Sequence, residues 1–420
     1  MALKIDEQSA DALTFRIAQG LHGITDLFFG LHHMDFDWAE SVGQSLPEAL
    51  QDRLTKICGE GGLSEFLYGQ VLLKLDEDST FDSSETNTLH DTESYRDALG
   101  AAKELVSQLA ALPYSYRLVA PLPSSFSKEF FEVCDDFELG PGISLVRGKK
   151  LAQDFSLETG NIQRDKRIIS ALGAEFLVLP DKEGLYFVQQ RSGYVGQQQE
   201  PPILAEFKTA LQQLLGAILA IKGFAQRGWR AENEDRAIFI HRRVDDPAIV
   251  LAERLSPKLR DFYGEMSILQ GRTISKKTKE DNSVNLRKLN IIKSVFQLND
   301  HGRRLSVAAI WYLRSHISKD SLDGLLESTI ALEALLGGGN AEGTKLSSLL
   351  GNRCAFLVGR SITDRQEILS KFSEIYTLRS RIVHEGHHRF TKFERELLTY
   401  SRELCRRALV KEMTMTTVEE

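Results

Sequence analysis

Ser321-Leu322-Asp323-Gly324-Leu325-Leu326-Glu327-Ser328-Thr329-Ile330-Ala331-Leu332-Glu333-Ala334-Leu335-Leu336, followed by Gly337-Gly338-Gly339-Asn340, decides how the last third of this chain is read. The stretch opens a helix at Ser321 and carries it to Leu336, where the glycine run ends it, because glycine accepts the left-handed turn that closes a helix. Upstream, Arg303 to His316 places Leu305, Ala308, Ala309, Tyr312 and Leu313 at helical spacing. Downstream, Thr344 is a side-chain cap for a helix over 345–358 that stops at Gly359. Asp364 is placed to cap a further helix that reaches Arg379 and stops near Gly386. A last helix, about Thr391 to Met413, repeats apolar contacts at Phe393, Leu397, Tyr400, Leu404 and Ala408. Helix after helix with short connections predicts an all-α bundle.

Before about residue 285 the texture is mixed. Apolar residues at helical spacing run from Ser94 to Leu112, and Pro113 stops them. Ser115 to Leu122 and Gly142 to Val146 read as strands. Glu175 to Leu179 and Gly184 to Val188 flank a turn and read as a hairpin. A long helix is expected from about Leu204 to Gln226, then strands at Arg236–His241 and Ala248–Ala252. Residues 76–94 read as a mobile acidic loop, and 196–202 and 271–285 as exposed connections. The expected organisation is a mixed α+β region, 1–285, with a sub-boundary near 197–202, followed by an all-α region, 286–420.

A chain of 420 residues accommodates two or three domains. Its net charge of −7 is unevenly spread. Residues 286–420 hold 21 Lys and Arg against 16 Asp and Glu, a net +5, which leaves −12 for the rest. A weakly basic end can attract a polyanion that the acidic part repels. The four cysteines, Cys58, Cys134, Cys354 and Cys405, are far apart, so a disulfide framework or zinc site is not expected. No membrane span or secretory leader is read from the sequence, and the expected compartment is a reducing cytoplasm.

One short segment carries candidate chemistry: Tyr376-Thr377-Leu378-Arg379-Ser380-Arg381-Ile382-Val383-His384-Glu385-Gly386. Histidine can move protons near neutral pH, and arginine forks onto phosphate oxygens. Ile375, Leu378 and Ile382 form the buried stripe of the helix, with Arg379 just beside it. Five positions rotate an ideal helix by about 500°, so His384 falls about 140° from Arg379. The two converge only through a break in the helix or through two copies meeting across a dimer.

The segment resembles the Arg, four to six residues, His motif of the Apea-like branch of the HEPN family, linked to abortive infection in bacteria. Leu325 to Leu336, with its Leu332-Glu333-Ala334-Leu335 core, resembles the family's earlier helix, and Lys345-Leu346 with Arg353 to Leu357 its next one. The likeness covers a quarter to a third of the chain. Glu385 is an insertion before the glycine, and Ser380 stands where the wider superfamily often has Asn, Asp or His.

The resemblance implies a HEPN helical bundle that forms a homodimer, or a larger assembly. It implies a metal-independent endoribonuclease that needs no cofactor, with Arg379 and His384 catalytic. RNA would be the substrate, a phage-derived signal a trigger, and the α+β region a sensor or substrate selector. The other expectation is a non-catalytic dimerisation or RNA-binding module.

Around the pair, Ser380 is expected to hydrogen-bond the phosphate or to orient a partner. Tyr376 is expected to fill the core or stack on a base. Glu333, set among apolar residues, either orients Arg379 or pairs with Arg353, and the second is preferred here. Arg381, His387 and His388 are secondary candidates for RNA contact. His301 and His316 are expected at the surface.

Overall fold

In the computed structural model five described α-helices precede the first strand, helices and strands then mix as far as Arg254, and from Pro257 onward every described element is helical. The structure describes residues 2–24, 36–78, 88–154, 183–196, 198–224, 237–242, 249–266, 279–337, 346–386 and 389–416. The α+β part contains α1 (Glu7–Gly23), α2 (Asp37–Gln44), α3 (Glu48–Cys58), α4 (Gly62–Glu77), α5 (Ala98–Ala110), β1 (Tyr114–Pro121), α6 (Ser124–Phe130), β2 (Phe137–Gly140), β3 (Ile143–Arg147), α7 (Gly148–Asp154), β4 (Leu185–Gly193), α8 (Pro202–Ala220), β5 (Ala237–Arg242) and β6 (Ile249–Arg254). The helical part contains α9 (Pro257–Met266), α10 (Lys279–Lys293), α11 (Asp300–Ile317), α12 (Ser321–Leu336), α13 (Leu346–Val358), α14 (Ile362–Glu385) and α15 (Lys392–Thr416).

The six strands form one sheet in the order β2-β3-β4-β1-β5-β6. β2 runs antiparallel to β3, and β3 to β4, with Ile143 opposite Gln189 and Arg147 opposite Leu185. On the strands Leu118, Leu145, Leu185, Phe187 and Ile240 are fully buried, and within the unit that begins at Val119 the residues Val119, Val146, Leu151, Tyr186 and Val188 form one buried cluster, as short apolar runs rich in β-branched and aromatic residues require. Two compact units divide the chain. One holds Met1–Leu118, Gln190–Phe207 and Ile240–Leu251; the other holds Val119–Gln189, Lys208–Phe239 and Ala252–Glu420. Residues 286–420 lie wholly in the second unit.

Several elements depart from the sequence reading. Among the described residues, the first 77 hold four helices, α1 to α4, that periodicity does not announce. In α4, Phe66, Leu67, Tyr68, Val71, Leu72 and Leu75 are buried on more than one side, so no single apolar stripe marks it. Residues 88–95 are not a mobile loop. They form two 3₁₀ turns that bury Leu89, Thr92 and Tyr95, with Thr88 and Asp91 as a reciprocal cap. Of the expected connection at 271–285, residues 279–285 are the first turns of α10, where Asn285 is buried and donates to the Glu129 carbonyl at 3.0 Å. The first strand of the expected hairpin, Thr344 and Lys345 fall outside the described residues.

α8 is the one described helix with the length and hydropathy of a membrane span, and two thirds of it is buried inside the protein. Its Gly216 faces the Ala309 carbonyl of α11 so closely that a β-carbon would overlap it. The two helix backbones therefore touch, which only glycine permits. All four cysteines are free and buried. Burial pushes the thiols of Cys58, Cys134 and Cys354 up to about 12.

Within the helical part, α11 is capped by Asn299, whose side chain accepts from the Gly302 amide at 2.7 Å. α12 is capped by Asp320, which accepts from the Leu322 amide at 2.8 Å. Leu305, Ala308, Ala309, Tyr312 and Leu313 are buried as their spacing requires. Ser328 of α12 and Ser401 of α15, both fully buried, satisfy each other at 2.7 Å. Phe393, expected on the inner face of α15, is half exposed because the helix begins there and the ring lies under the Lys371 ammonium, 4.9 Å away.

His316 also departs from expectation. Its Nε2 is sealed from solvent without a hydrogen-bond partner, and the ring packs edge-on to Tyr312 with centroids 4.8 Å apart. Burial, reinforced by the Arg402 guanidinium, pushes its pKa down to about 3.

Candidate active site

The helix that carries the candidate pair is unbroken. Ser361 starts α14 by accepting from the Asp364 amide at 3.1 Å, so Ser361 and not Asp364 is the cap. Asp364 instead receives the Arg360 amide at 2.8 Å and the Arg407 guanidinium at 3.0 Å, tying α14 to α15. Ile368, Phe372, Ile375 and Leu378 bury the inner face. Gly386 stops the helix in the left-handed region, φ 66° and ψ 35°, a conformation open to glycine without strain. Arg379 and His384 therefore sit on one continuous helix. They lie about 140° apart around its axis and about 7.5 Å apart along it. The break between them, one of the two expected routes to convergence, does not occur.

Arg379 turns toward α12. Its Nη2 is 3.5 Å from Glu333 Oε1, with about a third of the arginine side chain and a quarter of the glutamate exposed. The Tyr376 hydroxyl donates to the same oxygen at 3.1 Å. The tyrosine ring stacks on Phe372, centroids 4.9 Å apart and 14° from parallel. Tyr376 thus fills the core with its ring and fixes Glu333 with its hydroxyl. Burial and the adjacent Glu333 carboxylate drive the phenol far above its ordinary pKa, so it stays a donor.

Arg353, the partner preferred for Glu333 on sequence grounds, instead donates to the Leu336 carbonyl at 2.7 Å and closes the C-terminus of α12. That end had orphan carbonyls, and an arginine nearby satisfies one. Arg379 Nε is itself buried and without a hydrogen-bond partner among the described residues. One edge of the guanidinium is thereby fixed by Glu333 while another donor is left unsatisfied.

His384 is exposed in the last turn of α14, and Ser380, one turn earlier, is exposed beside it. Among the described residues neither side chain has a partner in the fold. His387 and His388 lie outside the described residues.

Arg381 is held at 3.2 Å from Glu394 Oε1. The other Glu394 oxygen accepts from the Thr391 amide at 2.8 Å and its hydroxyl at 2.9 Å, while the Glu394 amide donates back to Thr391 at 3.3 Å. This reciprocal cap starts α15 and holds Arg381 to it. The Thr391-Lys392-Phe393-Glu394 spacing is the signal that reveals it.

Among the described residues no group of three or more His, Cys, Asp or Glu side chains comes together as a cation site. What the arrangement supplies is an anchored guanidinium with spare donors, and an exposed imidazole on a different face of the same rod. Compared with known protein families, curated proteins and solved structures, the chain finds no match.

Proposed function

We propose that the helical part is a HEPN-type endoribonuclease that acts as a homodimer, with Arg379 of one copy and His384 of the other meeting at one phosphate. The observation that carries the reading is the unbroken α14, with Arg379 anchored to Glu333 and His384 exposed about 140° away. In this reading the two groups meet through a second copy, because one continuous helix holds them on different faces.

In this reading His384 accepts the proton of a ribose 2′-hydroxyl. The 2′-oxygen bonds to phosphorus, the bond from phosphorus to the 5′-oxygen breaks, and solvent protonates the departing oxygen. Arg379 stabilises the charge that gathers on the phosphoryl oxygens. The products carry 2′,3′-cyclic phosphate and 5′-hydroxyl ends. The α+β part restrains or directs this activity in the cytoplasm, with defence against phage as its setting.

The test is cleavage of RNA by the purified protein in EDTA. Wild type cuts, His384→Ala does not, and the ends are cyclic phosphates. Equal behaviour of the two proteins, or 5′-phosphate ends, refutes the reading. The Arg379–Glu333–Tyr376 contact also favours a second reading, a non-catalytic RNA-binding bundle in which the arginine only locks α14 to α12. RNA binding without turnover by wild type would select it.

A further inference from the structure

The outward side of α11 carries charge of one sign. With Arg303 taken as zero, Arg314, Val307, Trp311 and Arg304 follow at about 20°, 40°, 80° and 100° around the helix axis, and Ile310 lies about 20° to the other side. No residue of α11 within that arc is buried. The buried set, Leu305, Ala308, Ala309, Tyr312 and Leu313, centres about 170° away. The arc is therefore one continuous outward face with the core at its back.

Its cations are only lightly engaged. Asp300, at the start of the helix, is the one carboxylate in α11 and falls in the same arc. It lies 2.8 Å from Arg303, but its side chain is 93 % exposed and that of Arg303 73 %, so water screens the pair and a phosphate can displace it at little cost. Arg304 Nη2 donates to His301 Nδ1 at 3.3 Å. Arg314 gives its Nε to Gln212 Oε1 of α8 at 3.2 Å, and its guanidinium lies over the Trp311 ring, 4.9 Å from the centroid. The stack and the hydrogen bond fix Arg314 in place and leave its two Nη groups without a partner among the described residues.

We infer that this face of α11 is a docking surface for the phosphate backbone of an RNA strand; the choice of RNA among polyanions rests on the ribonuclease reading. All three cations are arginines, whose planar forks match phosphate oxygens where lysine offers a point charge. Arg303 and Arg314 stand nearly in line, 11 positions and about 16.5 Å apart along the axis, too far for one phosphate, so the ligand presents several. The arginines are interleaved with Val307, which is 42 % exposed, and Trp311. A helix that lies in a membrane surface instead puts its cations and its apolar side chains on opposite faces, and the opposite face of α11 is occupied by the core. The face gives a strand an anchorage separate from the Arg379 and His384 pair on α14.

The test separates binding from turnover. A labelled, fully 2′-O-methylated RNA of about a dozen nucleotides cannot react through its 2′-oxygen, and its anisotropy at a series of salt concentrations reads binding and the number of phosphates neutralised. The triple variant Arg303→Gln, Arg304→Gln, Arg314→Gln loses three phosphate contacts. At about 0.7 per contact on a single strand, its plot of log affinity against log salt should be shallower than that of wild type by about 2. Each single variant should lose about 0.7, so the outcome does not hang on the folding of the triple variant. Arg360→Gln, which removes an exposed arginine between α13 and α14, should leave the slope unchanged. Wild type that does not bind, or a triple variant whose slope stays within about 0.5 of wild type, overturns the surface. So does an unchanged RNA slope together with lost binding to vesicles of acidic lipid or to an acidic peptide, which would make the face a membrane or protein contact. A shallower slope with no cleavage by wild type upholds the surface and ends the ribonuclease reading. Cleavage by wild type with an unchanged slope does the reverse.

Discussion

Acidification should destabilise this protein in part through one imidazole. His316 binds its proton with a pKa of about 3 in the folded chain, against 6.5 when free. The unfolded state therefore takes up a proton that the folded state refuses. Stability that is complete above pH 6.5 is lost as the pH falls toward 3. At pH 5 the unfolded imidazole is 1.5 units below its own pKa, and at 1.36 kcal/mol per unit the loss is about 2 kcal/mol.

The carboxylates of the protein add their own acid dependence, so the contribution of His316 has to be isolated. His316→Phe keeps a flat ring against Tyr312 and leaves no buried nitrogen without a partner. Urea unfolding of both proteins at pH 7.5 and pH 5 gives the comparison. Wild type should lose about 2 kcal/mol more than the variant over that interval. Losses that agree within about 0.5 kcal/mol would refute the claim that the sealed, unpartnered nitrogen controls the response, since that is near the error of the extrapolation.

Two further outcomes bear on the candidate site. Glu333→Ala should lower stability by about 2 kcal/mol and Glu333→Gln by about half that, because glutamine still offers the Tyr376 hydroxyl an acceptor while the partly screened ion pair contributes little; equal losses in urea melts would show that the hydroxyl contact is idle. Mixing inactive Arg379→Ala with inactive His384→Ala should restore about a quarter of wild-type cleavage, since random pairing makes half the dimers mixed and each mixed dimer has one complete site of two; a mixture as dead as its components would refute assembly of the site from two chains.

The last five helices were readable from the spacing of their apolar residues, and Gly386 ends α14 as expected, but the caps were not: Asn299 and Asp320 were not read as boundaries, and Ser361 takes the place expected of Asp364. The strands at β1, β3, β5 and β6, and the first half of β4, were readable as short runs rich in β-branched and aromatic residues between turns. α4 was not, since a helix buried on several sides has no polar face to set its period against. The residues of the candidate pair were visible in the sequence, but the partner of Glu333 was not. Whether it meets Arg353 or Arg379 depends on how α13 and α14 rotate against α12, and spacing along a chain does not encode that rotation. His316 was misplaced for the same reason: its neighbour Arg402 lies on another helix, 86 residues away in sequence.

The straight run of α14 from Ile362 to Glu385 also works as a ruler. Arg379 and His384 are graduations on one rod, and side-chain substitutions cannot move the marks. Inserting a single residue between them would swing His384 by about 100°, whereas inserting seven would turn it by only about 20° and carry it about 10 Å further along the axis. The spacing of the pair could therefore change only in near-integral turns of helix, which makes it a discrete quantity rather than a tunable one.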